Sequence, residues 1–214
     1  MKIKLFILSV LTISSISAFS QSGEKGELSF GIRAGLNFQN INGKDAGGNM
    51  LKNGLAARYH LGVNLEIPIV PEMYLQPNLL FITKGAKINS IQVNLSYLEV
   101  PINFIYKPLL GTGHLMLGFG PYLAYAIGGR VKLNGNTEKI TLRNTQSNAD
   151  QNMVIKPLDA GAGMLFGYEF ANKISVQLNV QLGLINIYPA NSSISGDKSI
   201  YKNTGFGISG GYRF

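Results

Sequence analysis

The chain has 214 residues, a formal net charge of +8 at pH 7 and no cysteine. This length suits one domain with a sizeable core, and the absence of cysteine excludes disulfides, thiolate metal sites and cysteine nucleophiles. Lysines and arginines are scattered without a basic run, which argues against a nucleic-acid-binding protein.

The first twenty residues have the pattern of a secretory signal peptide. Two lysines precede an apolar stretch at 5–13, and the small residues Ala18 and Ser20 suit a signal peptidase. The apolar stretch is too short to span a bilayer as a mature helix, and a retained membrane anchor is the alternative. We therefore predict a signal peptide at 1–20 and a single domain at 21–214.

The rest of the chain contains eight segments in which apolar residues alternate with small or polar ones. They lie at 28–39, 54–68, 72–85, 94–106, 114–130, 157–170, 173–186 and 204–214. In the seventh, Ile174, Val176 and Leu178 alternate with Ser175 and Gln177. Such a period of two predicts β-strands that have one apolar face.

The connections between these segments alternate in length over most of the chain. Longer ones at 40–53, 131–156 and 187–203 are separated by short ones such as 171–172, whereas 86–93 is about as long as the connection that follows it. An up-and-down barrel with short periplasmic turns and longer outer loops has this rhythm, with both termini in the periplasm. We expect 131–156, which is rich in Asn, Thr, Gln and Ser, to be mobile and solvated.

The two faces of the strands favour a membrane barrel over a soluble one. One face is almost continuously apolar, whereas the other combines charged groups with many glycines. Glycine has little purpose on a water-facing surface, but it makes room in a narrow lumen that is filled by side chains. The alternative, a soluble ligand-binding barrel, would bury its apolar face around a ligand. The predicted fold is therefore all-β, an eight-stranded antiparallel up-and-down transmembrane β-barrel in contact with the lipid of a Gram-negative outer membrane.

The inward face is expected to carry both signs of charge, so that ion pairs can form in the lumen. The predicted polar cluster consists of Arg33, Arg58, Glu66, Glu99, Glu169 and Arg213.

The chain ends on a strand with a terminal aromatic residue. This pattern resembles the C-terminal signal that the outer-membrane barrel-assembly machinery recognises, and it maps onto Phe206, Ile208, Tyr212 and Phe214. The resemblance implies that this machinery is a partner during biogenesis.

Four segments together resemble the PorT-like outer membrane β-barrel domain family. They are GIRAGLN at 31–37, YLEVP at 97–101, GFGPY at 118–122 and GYRF at 211–214. The resemblance implies an outer-membrane barrel, and it supplies no catalytic residues.

The chain offers few residues for catalysis or metal binding. Its two histidines, His60 and His114, lie on different strands, and neither belongs to a His-Glu-x-x-His pattern. A lipid-modifying enzyme with a His-Glu-Ser set is an alternative, but strand parity points His60 into the lumen. We expect no catalytic, cofactor-binding or metal-binding residue, and hence no enzyme.

A transport role is disfavoured by the number of strands, because an open aqueous pore needs about sixteen. The remaining roles are structural support, scaffolding or binding through the outer loops at 40–53, 86–93, 131–156 and 187–203. A protein or a surface polysaccharide is the expected kind of partner for these loops.

Overall fold

The computed structural model describes residues 27–88, 90–133, 136–146, 150, 152–191 and 196–214. The signal peptide expected at 1–20 lies outside these described residues. Within them, no helix has the length and apolar character needed to cross a bilayer.

Eight long strands form one closed barrel in the part of the chain that the structure describes. They are β1 (Ser29–Lys44), β2 (Ala56–Val70), β3 (Met73–Ile88), β4 (Ile91–Tyr106), β5 (Gly113–Leu133), β6 (Leu158–Glu169), β7 (Ile174–Gly183) and β8 (Ile200–Arg213). Each strand pairs antiparallel with the next along the chain, and β8 closes the barrel by pairing with β1. The predicted eight-stranded antiparallel barrel is confirmed.

Each strand separates an outward apolar face from an inward small or polar face. In β7, Ile174, Val176 and Leu178 are 44%, 44% and 54% exposed, whereas Ser175 and Gln177 between them are buried. A soluble barrel would show the reverse arrangement. Transfer from water to hydrocarbon stabilises each outward Leu, Ile or Phe by about 1.5–3 kcal/mol, so surrounding lipid offsets this exposure.

β3 and β4 continue beyond their predicted ends and form a long hairpin. β3 ends at Ile88 and β4 begins at Ile91, so the expected outer loop at 86–93 is wrong. The alternation persists through this region because Ala86 and Val93 are buried on the inner face. We call the end of the barrel with the longer connections the outer end and the opposite end, which carries both strand termini Ser29 and Arg213, the periplasmic end, following the usual orientation of such barrels. The belt of outward apolar side chains between the two ends is called the lipid-facing band. At the outer end, β3 and β4 therefore continue past this band as a sheet.

β5 also extends above the lipid-facing band, and a bulge changes the face that it presents. Its pairing with β4 shifts register between Ser96 and Tyr97, which leaves Ile127 as the extra residue. Tyr125 is exposed below the bulge and Arg130 is exposed above it. The two residues are an odd number of positions apart and would face opposite sides of a regular strand, so the bulge brings both to the outside.

The outer mouth of the barrel is covered by the described residues of 136–156 and 184–199, which we call the outer cap. Ile140, Ile155 and Ile187 of the cap are 6%, 0% and 0% exposed, and they pack with inward residues of the upper strands. The cap therefore gives the barrel a small hydrophobic core above the lumen.

Short parallel pairings hold the cap together. Thr141–Leu142 pairs with Val154–Ile155, and Thr145–Gln146 pairs with Ala190–Asn191. The expectation that 131–156 is solvated holds for most of its described residues, which are exposed or partly exposed, and fails for the buried Ile140, Val154 and Ile155. A few isoleucines among many polar residues bury enough apolar surface to fix this segment over the mouth.

Candidate functional site

Four charged side chains form an ion-pair network inside the periplasmic end of the barrel. Lys107, which directly follows β4, has its Nζ 2.8 Å from Glu66 Oε1 and 2.9 Å from Glu169 Oε2. The guanidinium of Arg213 lies 2.7 Å from Glu169 Oε1. Lys107 and both carboxylates are buried, whereas Arg213 is partly exposed. This periplasmic network fills the lower end of the lumen.

The middle of the lumen is occupied by Arg33 and by amide side chains. Arg33 is buried and donates hydrogen bonds to Asn78 Oδ1 at 3.3 Å and to Asn179 Oδ1 at 3.4 Å. Two cavities beside Arg33 measure about 30 and 20 Å³, which is the space of roughly one water molecule each. The lumen is therefore packed at this depth.

The upper lumen holds a second ion-pair network, centred on Lys84. Its Nζ lies 2.7 Å from Glu99 Oε2 and 3.0 Å from Asp159 Oδ2, and all three side chains are at most 1% exposed. The same nitrogen lies 5.4 Å from the ring centre of Tyr97 and 4.1 Å from that of Tyr122. Two carboxylates and two aromatic faces thus compensate the burial of one cation.

The six residues predicted to form one lumen cluster are distributed over several depths of the barrel. Glu66, Glu169 and Arg213 lie in the periplasmic network, Arg33 at mid-depth, Glu99 in the upper network and Arg58 near the outer end. The guanidinium of Arg58 donates to the carbonyl oxygens of Ala57 and Val93. The structure thus brings three of the six together and separates the others.

Lys84, Lys107 and Asp159 complete the two networks but are missing from the predicted cluster. Strand parity places Lys84 and Asp159 inward, so the sequence carried a signal for both. Lys107 follows the predicted end of its strand at Tyr106, and its inward direction becomes evident only if that alternation is extended by one residue.

The two histidines have structural surroundings. His60 is buried in the lumen, as its parity predicts, and its Nδ1 shares a hydrogen bond with Asn37 Oδ1. His114 lies near the periplasmic end, opposite Glu169 on β6. Among the residues that the structure describes, no three His, Cys, Asp or Glu side chains are grouped to hold a metal ion.

The four residues of the proposed assembly signal share the outward face of β8 and its terminus. Phe206, Ile208, Tyr212 and Phe214 are 50%, 47%, 41% and 62% exposed. The main-chain N–H of Phe214 donates to the carbonyl of Phe30 at 2.8 Å. The last residue is therefore held against the first strand of the barrel.

Charge is distributed unequally between the two ends of the barrel. The outer end has eleven cations against four carboxylates, and the periplasmic end has three against four. The outer residues are Lys44, Lys52, Arg58, Lys87, Arg130, Lys132, Lys139, Arg143, Lys156, Lys198 and Lys202 against Asp45, Glu138, Asp150 and Asp197. The periplasmic residues are Lys107, Lys173 and Arg213 against Glu27, Glu66, Glu72 and Glu169. The net positive charge of the described chain therefore lies at its outer end.

Two aspartates in the outer loops accept hydrogen bonds that favour their charged form. The main-chain and side-chain N–H groups of Asn49 donate to Asp45 and hold the pKa of its carboxyl below the ordinary value. Ser199 donates to Asp197 from its hydroxyl and its main-chain N–H, which lowers the pKa of that carboxyl as well.

Several solved structures are similar to this chain at low sequence identity. Ail, the attachment invasion locus protein of Yersinia pestis, solved with the heparin analogue sucrose octasulfate, is 13% identical with a TM-score of 0.43; the match covers 88% of this chain and 100% of Ail. Neisserial surface protein A is 12% identical with a TM-score of 0.46, covering 88% of this chain and 100% of that protein. OprG from Pseudomonas aeruginosa is 13% identical with a TM-score of 0.44, covering 90% and 98%. The comparison with curated proteins finds no match.

A family model described as an outer membrane protein beta-barrel domain matches residues 19–188. The matched range includes β1 to β7 and spans most of the chain. This chain therefore belongs to the outer membrane protein beta-barrel domain family, and it is a small barrel of the outer membrane.

Proposed function

We propose that this protein is a non-enzymatic barrel without an open pore, and that it binds an acidic surface polysaccharide at its outer face. The observation that carries the proposal is the segregation of charge, with the net positive charge at the outer end. The four sequence segments at 31–37, 97–101, 118–122 and 211–214 also favour a relationship to the PorT-like outer membrane β-barrel domain family.

The packing of the lumen supports a role other than transport. A solute would have to pass the periplasmic network, the side chain of Arg33, the network of Lys84 and then the apolar core of the cap. Opening such a path would separate buried ion pairs, which costs about 3–5 kcal/mol for each broken pair. Binding at the surface requires none of this rearrangement.

A concave surface at the outer end supports the choice of partner. A depression of about 530 Å³ is lined by Lys44, Lys198, Asp197 and the main chain at Gly47 and Gly48. Both lysines are exposed. The two lysines can donate charge-assisted hydrogen bonds to the carboxylates of acidic sugars. The main chain of Gly47 and Gly48, which lines the depression, can contact the sugar hydroxyls.

The test is a binding assay on the barrel reconstituted in nanodiscs of phosphatidylcholine. We expect the protein to bind polygalacturonate and not neutral dextran, with affinity that falls as salt is added. The double variant Lys44→Gln, Lys198→Gln removes both lysines of the depression and should weaken binding at least tenfold. The matched control, Arg130→Gln, Lys132→Gln, removes the same charge elsewhere on the outer end and should retain most of the binding. Equal binding of dextran, or equal losses in both variants, would refute the proposal.

The enzymatic alternative is tested separately. Expression of a lipid-modifying enzyme would change the lipid A or phospholipid profile, and His60→Ala would abolish that change. We expect an unchanged profile with either form, because His60 is enclosed in the lumen with Asn37 as its partner.

We also propose that 1–20 is removed on export and that the C-terminal residues address the chain to the barrel-assembly machinery. Mass measurement of the purified barrel tests the first proposal, since cleavage after Ser20 leaves a chain that begins at Gln21.

A further inference from the structure

The upper parts of three barrel strands continue as a sheet whose outward face is basic. This sheet consists of β3, β4, β5 and the short strand Asn136–Lys139, which pairs with β5. One row across it runs Lys87, Gln92, Lys132 and Thr137, each directly opposite the next. The row below runs Gly85, Asn94, Arg130 and Lys139.

We call Lys87, Arg130, Lys132 and Lys139 the outward basic face. All four side chains are exposed, and so are the amides of Gln92 and Asn94 between them. Glu138, the acidic residue of the short strand, is opposite Val131 and therefore points to the other face of the sheet. Among the described residues, none of the four cations forms an ion pair.

The arrangement of these cations is unfavourable in the isolated protein. Arg130 and Lys139 are directly opposite each other in the register, and like charges in such cross-strand positions destabilise a sheet. Neutral or acidic residues would serve the fold better at these exposed positions. An anion held between the cations would convert the repulsion into attraction.

The height of the face relative to the bilayer indicates which anion lies there. Ile127, at the bulge, is 56% exposed and belongs to the lipid-facing band. A strand rises about 3.3 Å per residue, so Arg130 and Lys132 lie roughly 8–13 Å above Ile127 once a barrel tilt of about 40° is included. The headgroup layer begins at the edge of the hydrocarbon, and long cationic side chains extend toward it.

We propose that the outward basic face binds the phosphate groups of anionic lipid headgroups in the outer leaflet. Arg130 supplies a planar fork for two phosphate oxygens, and the three lysines supply point charges around it. Gly85 adds no side chain to the lower row, and its main chain lies so close to the carbonyl of Val93 that a side chain would not fit there. The proposal rests on the outer-membrane location and is independent of the polysaccharide proposed at the cap.

The experiment is native mass spectrometry of the full barrel, in a zwitterionic detergent, with lipid A as the probe. We expect wild type to retain lipid A, and the variant Lys87→Gln, Arg130→Gln, Lys132→Gln, Lys139→Gln to lose at least fivefold in occupancy. The matched control, Lys44→Gln, Lys52→Gln, Lys156→Gln, Lys198→Gln, removes the same charge away from this face and should keep wild-type occupancy. Heat-modifiable migration on gels verifies that each variant is folded, and the double variant Arg130→Gln, Lys139→Gln should show a partial loss if the fourfold variant does not fold.

Two further binding measurements identify the source of the phosphate. Lipid A from which both phosphates have been removed should not be retained, and inorganic phosphate at millimolar concentration should not displace the intact lipid. Equal retention of the dephosphorylated lipid, displacement by inorganic phosphate, or equal occupancy of the fourfold variant and wild type would overturn the proposal. Failure of the wild-type barrel to bind polygalacturonate, while it retains lipid A, would count against the polysaccharide proposal alone.

Discussion

The ammonium nitrogen of Lys84 lies 2.7 Å from a carboxylate oxygen of Glu99, and both side chains are almost completely shielded from solvent. The pair belongs to β3 and β4, whereas the second carboxylate, Asp159, comes from β6 on the far side of the lumen. One cation therefore links strands that do not pair with each other. Such a contact fixes the width of the barrel at this depth.

Replacing Lys84 with methionine is expected to be strongly destabilising. Two buried carboxylates would lose their cation, so we expect a loss of about 3–5 kcal/mol in the free energy of unfolding. Urea unfolding of the protein in lipid vesicles measures this change in the free energy of unfolding. Lys87→Met, three residues along the same strand and exposed, should change stability by less than about 0.5 kcal/mol. Adding Glu99→Gln and Asp159→Asn to Lys84→Met should recover most of the loss, and a failure to recover would contradict the electrostatic explanation.

The two cations of the periplasmic network should differ in importance. Lys107 is buried between Glu66 and Glu169, so Lys107→Gln should cost about 3 kcal/mol or more. Arg213 contacts Glu169 from a side chain that is 30% exposed, and Arg213→Gln should cost only about 1 kcal/mol or less because water screens that pair. The same urea titration ranks the two variants, and the reverse order would show that Arg213 is the main partner of Glu169.

Opening the cap should leave the barrel intact. Ile155 is 0% exposed, and Ile155→Asp would place a charge in the apolar core above the lumen, where it cannot be accommodated. We expect faster hydrogen exchange at the amides of Thr141 and Arg143, which donate across the cap to Met153 and Ile155, with unchanged heat-modifiable migration. Thr145→Asp, at an exposed position of the same segment, is the control and should leave the exchange slow.

The turn at Asp45 should loosen in acid. A lowered pKa in the folded protein means that the hydrogen bonds to the charged carboxyl stabilise the turn above the ordinary aspartate pKa. This stabilisation is lost as the pH falls below that value and through the lowered pKa. We expect protection of the Asn49 amide, which donates to Asp45 Oδ1 at 2.9 Å, to disappear over this window in NMR exchange measurements. Asp45→Asn should remove the pH dependence, and a protection that persists unchanged in acid would contradict the assignment.

Deleting Phe214 should impair assembly in cells more than stability in vitro. The side chain is 62% exposed and lies at the end of the outward row of β8, so its loss removes little internal packing. We expect a smaller heat-modifiable fraction in the outer membrane, together with normal refolding into lipid vesicles. Phe119→Ala removes an equally exposed aromatic from β5 and should assemble normally; equal assembly defects in both variants would indicate a general need for lipid-facing aromatics.

Strand parity made much of the barrel predictable from sequence. Ser175 and Gln177 lie inward and Ile174 and Val176 outward because side chains alternate strictly along a strand. The same rule places Glu99 and Glu169 in the lumen. It does not reveal which charges meet, since Lys84 and Asp159 are 75 positions apart and come together only through closure of the barrel.

The outer cap could not be derived from composition. Its polar residues are typical of a solvated loop, whereas its position depends on isolated side chains such as Ile140 and Ile187. Isolated apolar residues form no periodic pattern, so only the three-dimensional structure shows that they converge. The length of the β3–β4 hairpin was missed for a different reason, because a polar stretch around its turn obscured the continuing alternation at 86–93.

The extra residue at Ile127 exchanges the outward-facing and inward-facing positions of β5. Below it, odd-numbered residues such as Tyr125 face outward, and above it even-numbered residues such as Arg130 and Lys132 do so. Without this single insertion both cations would be turned toward the cap interior, and Val131 would face the surrounding medium. The bulge residue therefore marks the level on β5 at which the outward side chains change from apolar ones, which suit hydrocarbon, to charged ones, which suit water.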